Sequence, residues 1–211
     1  IGTTYDFPFP EDTVDFQLSR IARANQRIGM ATASSPWGPW ERPGEPVLQP
    51  RPGKWDALIT VNPAPCVKPD GSILLVYKST SSQTGLLKLG VAGTDYHNLP
   101  FERLVDGPIF QFDEQGDLRD GHSRHVEDPY IWWSGDQYEL VMKDMNGNIC
   151  DVRGGGIHAT SADGIDWTIS DPPLAYTKDI ALAGGDTIRA SALERPQLLV
   201  QNGVPTHLFL A

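Results

Sequence analysis

Three stretches place a charged or amide side chain directly before a proline and an apolar run. They are Asn62-Pro63-Ala64, Glu127-Asp128-Pro129 and Glu194-Arg195-Pro196. The prolines at 63, 129 and 196 recur every 66 to 67 residues. A polar group opening a buried strand is unfavourable unless it is paired or solvated. Three of them in register therefore point to a shared polar cavity, although strand-end capping in solvent would also accommodate them. That makes Asn62, Glu127, Asp128, Glu194 and Arg195 the residues of the candidate cavity. Lys78 and Lys143 close the strands that follow the first two stretches, again in register. His125 lies two residues before Glu127, so in an extended chain the two share a side. His158 sits inside a strand-like segment, where a histidine satisfied within the packing is the competing reading.

The elements that must position these groups form two interleaved units. The first reads as strand, Gly turn, strand: 62–67 with 73–78, 128–133 with 138–143, and 195–200 with 206–211. The Asn202-Gly203 and Asp70-Gly71 pairs are hairpin signals because those residues tolerate positive φ. The second unit runs from a small-residue strand to an aromatic: Gly29 to Trp40, Gly90 to Phe101, Ile157 to Trp167. Two alternating hairpins per period make a four-stranded blade, and a radial array of blades is a β-propeller. The fold class is all-β, with about three blades' worth of a single propeller domain over 1–211. The expected divisions are 1–45 (end of one blade plus a loop), 46–110 (second blade), 111–175 (third) and 176–211 (start of a fourth). Residues 5–27 break the pattern, with Pro8, Pro10, Glu11, Asp12 and Asp15 reading as loop and Ser19–Gln26 as a helical turn or a strand. A polar connection with Asp113, Glu114, Asp117 and Asp120 spans 105–125, and a Gly-rich one spans 144–156.

Composition narrows the function classes. A net charge of −10 argues against nucleic acid, which needs clustered Lys and Arg. No apolar run reaches 18 residues, so no helical membrane span is expected. Cys66 and Cys150 cannot make a disulfide framework and read as buried thiols. No Cys or His cluster has zinc spacing, so no metal or other cofactor is expected. The opening at Ile1 and the closing apolar run read as a chain truncated at both ends. Roughly three blades cannot close a ring, so self-association to complete the propeller is an expected partnership.

The stretch from Arg27 to Trp40, together with Glu127 to Trp132 and Glu194 to Leu199, resembles the five-bladed glycoside hydrolases of families 43, 32 and 117, most of all family-43-like proteins. The resemblance implies a five-bladed propeller, a poly- or oligosaccharide substrate and hydrolysis by axial carboxylates. It also implies an extracytoplasmic location. Glu127 then matches the general acid; under the family 117 pattern Asp128 does. Glu194 would orient substrate or tune a neighbour, and Arg195 would bind a hydroxyl or carboxylate. Asn62, Lys78, Lys143, His125 and His158 become candidate substrate ligands, and Trp55 a candidate sugar-stacking ring. Two departures stand out. The family's base, an aspartate of the first blade, would precede Ile1, and Asn62 replaces an aspartate of the second. Two alternatives follow: a carbohydrate-binding propeller without a base, or a glycoside phosphorylase using Lys78, Lys143 and Arg195 to hold phosphate.

Overall fold

The computed structural model describes residues 15–95, 101–112 and 121–211. The expectations for Pro8, Pro10, Glu11, Asp12, Asp113, Glu114, Asp117 and Asp120 lie outside the described residues. A helix, α1 (Asp15–Ala24), covers most of the segment 19–26 that the sequence left between a helical turn and a strand, and also takes in Asp15, which had read as loop; Arg23 is in its last turn, where the helix dipole favours a cation. Among the described residues no helix is long and apolar enough to cross a membrane.

Two four-stranded antiparallel sheets follow. The first, blade A, is β1 (Val61–Val67), β2 (Ile73–Ser79), β3 (Lys88–Thr94) and β4 (Glu102–Arg103), hydrogen-bonded in chain order. The second, blade B, is β5 (Val126–Trp133), β6 (Tyr138–Asp144), β7 (Gly156–Ser161) and β8 (Thr168–Tyr176), also in chain order. A small hairpin, β9 (Asp179–Ala181) with β10 (Thr187–Arg189), then precedes a second hairpin, β11 (Gln197–Gln201) with β12 (Val204–Phe209). The first of these was not expected from the repeat. Its turn is made by Leu182–Asp186, with Gly185 at φ 90°. The β11–β12 turn uses Asn202 and Gly203 at φ 52° and 78°, the positive pair a tight hairpin needs. The fold is a partial β-propeller: two complete four-stranded blades, the opening hairpin of a third, and a single Thr32–Glu41 bridge from the one before.

Burial on both faces explains why β2 and β6 read as nearly unbroken apolar runs. Alternate residues of a strand point to opposite faces. Leu74 and Val76 of β2 face blade B, meeting Val126, Ile131, Leu140, Met142 and Ile157 in the main core. Leu75 and Tyr77 face the other way, onto Ile28, Val47, Leu48 and Phe101. Cys66 and Cys150 are both buried free thiols in the main core.

The sequence hid one buried ionic centre. Asp56 is fully buried, and its carboxylate accepts from Arg51 Nε at 2.9 Å, Arg103 Nε at 2.7 Å and the Tyr77 hydroxyl at 3.1 Å. Burial, only partly offset by Arg103, pushes the Tyr77 phenol up to about 12. This network ties the loop before β1 to both β2 and β4.

Candidate functional site

The three proline-led stretches open β1, β5 and β11, the inner strands of successive blades. Proline has no N–H to give to the ladder. The chain accordingly bulges at both complete blades, where the register shifts between Val61 and Ala64 and between Glu127 and Tyr130. The residue before each proline is forced into the left-handed region: Asn62 at φ 49°, Asp128 at 52° and Arg195 at 53°. A non-glycine residue there is strained, and strain of this kind clusters at functional sites. The conformation turns each side chain or amide along the inner edge toward its neighbour. The Asn62 amide donates to Asp128 Oδ1, and the Arg195 backbone N–H donates to Asp128 Oδ2 at 3.0 Å.

A second row runs beside the first. Lys78 Nζ donates to Glu127 Oε2 at 2.7 Å, and Lys143 Nζ to Glu194 Oε1 at 2.5 Å. The lysine of one blade thus meets the glutamate of the next. Lys143 also reaches back to Glu127 Oε1 at 3.4 Å. The sequence placed both lysines in register; the sheets add the reason, since each is on the face of its blade that meets the following blade.

The surroundings push the Glu127 and Asp128 carboxyls in opposite directions. Burial alone would raise the Glu127 carboxyl; the ammonium groups of Lys78 and Lys143 outweigh it and hold Glu127 below the ordinary carboxylate range. Asp128 goes the other way. Its burial, then the negative charge of Glu127, push its carboxyl above the ordinary range, and the adjacent Glu194 carboxyl adds to the rise. Burial alone would lower the Lys143 ammonium, yet Glu194 and Glu127 keep it above its usual value. Asp128 is 4% exposed, whereas the Glu194 side chain is 37% exposed. The carboxylate oxygens of Glu127, Asp128 and Glu194 come within 4.8 Å of one another. A trio of that kind can attract a divalent cation. Here the two lysine ammoniums already supply the compensating charge, so no metal is assigned to it. Both lysines are likewise committed to glutamates rather than free to hold phosphate.

Three other candidates fall elsewhere. Trp55 is on the opposite face of blade A from Lys78: its ring stacks on Tyr77 at 6.0 Å, and its indole N–H donates to the Asp106 carbonyl. A surface-loop stacking platform gives way to a packing role because the Tyr77 face is itself buried. His158 shares a face with Lys143 but is held within blade B, Nε2 against Glu139 at 2.9 Å and Nδ1 against Ser170 at 2.7 Å. Both ring nitrogens are engaged in the sheet, and the ring lies 6.0 Å from Trp132. His125 is buried immediately before β5, its carbonyl accepting from the Met145 N–H.

One residue of the site escaped the sequence reading. Tyr176, the last residue of β8, has a buried hydroxyl, and burial followed by the charges of Asp128 and Glu194 pushes its phenol far up. Gly156, the last of a Gly-Gly-Gly run, was the available signal.

No family model matches the sequence, and no curated protein matches it. Solved structures do. Zg3597, a family 117 glycoside hydrolase from the marine bacterium Zobellia galactanivorans, matches at 24% identity with a TM-score of 0.50, over 78% of this chain and 43% of that one. BT0996, solved in an RGII complex, matches at 15% identity with a TM-score of 0.58, over 83% of this chain and 50% of that one. At these identities the likeness is one of fold. This chain spans half the length of those structures or less.

Proposed function

We propose that the chain carries the acid half of a carbohydrate-processing site, in a propeller that hydrolyses a glycosidic bond of a poly- or oligosaccharide. The observation that carries the reading is the Asp128–Glu194 carboxyl pair. A carboxyl whose proton affinity is raised, beside a second one open to a ligand, is an arrangement suited to acid–base work. Asp128 sits on the closed side, its proton affinity raised by burial; Glu194 is the member a ligand can reach. In this reading the pair donates a proton to the leaving oxygen. Glu127, kept ionised by two lysines, is the scaffold of the pair rather than the acid. Asn62 and the Arg195 backbone orient Asp128, and the Arg195 side chain is a substrate ligand. The fold likeness to a protein described as a glycoside hydrolase supports this reading, as does the one to a protein in an RGII complex. Hydrolysis also needs a base or nucleophile, which further blades would bring, from more chain or from a second copy.

The test is turnover of aryl glycosides by the protein and by its Asp128→Asn and Glu194→Gln variants. Loss of about 10² to 10⁴ in kcat is expected for a removed proton donor. Full activity in both variants would reject the carboxyl-pair mechanism. A non-catalytic sugar-binding propeller is the second reading, favoured by the neutralised Glu127 and the uncharged Asn62. Glycan binding without turnover, equal in wild type and Asp128→Asn, would select it.

A further inference from the structure

Blade B has a row that blade A lacks. Glu127 of β5 pairs with Lys143 of β6, Lys143 pairs with Gly156 of β7, and Gly156 pairs with Tyr176 of β8. Residues directly opposite across antiparallel strands share a face, so Tyr176 lies on the face that carries Lys143. Gly156 presents no side chain between them. A methyl placed there would lie 2.2 Å from Tyr176 Cε1 and 2.3 Å from Cδ1, so the ring lies directly over the glycine. Strands are about 4.8 Å apart, which lets a ring crossing one strand bring its hydroxyl to the next. That hydroxyl is buried and has no hydrogen-bond partner among the described residues. Buried polar groups are seldom left so.

We propose that Tyr176 is a positioning residue, its hydroxyl donating through one bridging water to the Asp128–Glu194 carboxyl pair across Gly156. The inference rests on the axial reading for its functional meaning, though not for its physical test. Asp128 Oδ1 and Oδ2 each already hold one donor, from Asn62 and Arg195, and Glu194 holds Lys143. Each carboxylate oxygen has a second lone pair, and a water held by the phenol O–H can donate to either carboxyl. The charged and titratable groups facing this point are Glu127 and Asp128 of β5, Lys78 of β2, Lys143 of β6, Glu194 before β11 and Cys150 of the loop after β6. Lys178 approaches from the segment after β8, its Cδ 3.7 Å from a methyl position on Gly154. The donor favours the ionised pair, so it limits how far the pair's proton affinity rises.

Tyr176→Phe removes the hydroxyl and keeps the ring. Thermal unfolding of both proteins is followed from pH 7.5 to pH 4.5. The stability difference between them is expected to change with pH, with the variant at its greatest relative disadvantage when the pair is ionised and recovering as it protonates. An offset of the same size at every pH means a packing role and overturns the proposal. The second measurement is the alkaline limb of kcat/KM on an aryl glycoside. Without the donor the pair holds its proton more tightly, on the order of tenfold, and the limb moves to higher pH. A limb that stays in place also overturns it. A wild type with no turnover refutes the hydrolase reading instead, leaving the unfolding comparison to decide Tyr176. Gly156→Ala, which displaces the ring, is expected to reproduce the same pH signature.

Discussion

Blades A and B are the same scaffold with different contents. Strand order, the proline bulge, the positive φ before the proline and the lysine ending the second strand all repeat. They differ in what stands at matched places. Val61 takes the place of Glu127, Asn62 that of Asp128, and Leu89 that of Gly156, since Leu89 pairs with Lys78 as Gly156 does with Lys143. The outer strand is two residues long in blade A and nine in blade B. Blade A is therefore closed on its inner edge by apolar packing and one amide, while blade B gathers carboxyls there. Three exchanges at matched places on the inner three strands separate an apolar edge from an acidic one.

The lysines give the sharpest way to break this comparison. Lys143 compensates two carboxylates, Lys78 one. Lys143→Met leaves the partly exposed Glu194 carboxylate without its ammonium and takes the longer of two contacts from Glu127, which keeps Lys78, with an expected loss of about 1–3 kcal/mol by denaturant unfolding. Lys78→Met should lose clearly less, because Glu127 keeps Lys143. Equal losses would mean that the two rows are not asymmetric.

The third-strand positions come next. Leu89 is fully buried in the main core, so Leu89→Ala is expected to lose about 2–5 kcal/mol. Gly156→Ala adds atoms at the matching place and is expected to lose about 1–3 kcal/mol through overpacking against Tyr176. One register position would thus resist shrinking in blade A and growing in blade B. A neutral Gly156→Ala would show that the ring does not rest on the glycine.

Acidification separates Glu127 from Asp128. Glu127 is held below its ordinary range, so its contribution is present above the unfolded carboxylate range near 4.3 and is lost as pH falls through its folded value. Asp128 is raised, so its ionised form weakens the fold at neutral pH, and that penalty is relieved as pH falls through its folded value toward about 3.9. Relative to wild type, Asp128→Asn should therefore be at its best at pH 7 and lose that advantage as pH falls toward about 3.9, whereas the deficit of Glu127→Gln should hold from pH 7 down to about 4.3 and shrink only below it. Parallel Tm curves for the two variants would remove the distinction between the carboxyls. The smallest effect belongs to the exposed Arg189–Asp179 pair of the β9–β10 hairpin, outside both blades, where Arg189→Ala should cost no more than about 1 kcal/mol.

Much of the architecture was legible because propeller repeats write themselves in turn residues and apolar runs. Pro63, Pro129 and Pro196 marked the inner strands, and the lysines fell in register without a structure. The groups that escaped depend on contacts across strands rather than along them. Tyr176 ends a strand whose pairing with β7 slips twice, so no spacing in the chain ties it to Glu127. Asp56 draws its partners from positions 51, 77 and 103, a combination that no local pattern announces. Trp55 read as a loop aromatic because its loop is polar, while its ring packs on a face that only the sheet defines. Which of Glu127 and Asp128 the lysines pair with was also beyond residue types alone.

The lysine of each blade grips the glutamate of the next, and this has a meaning for assembly. A strand that slips by one residue turns every side chain to its other face. A slipped β2 would carry Lys78 away from Glu127, and a slipped β6 would carry Lys143 away from Glu194. The ladder thus works as a proofreading device: blades docked out of register are left with buried, unmatched charges, and only the arrangement that builds the site is free of them.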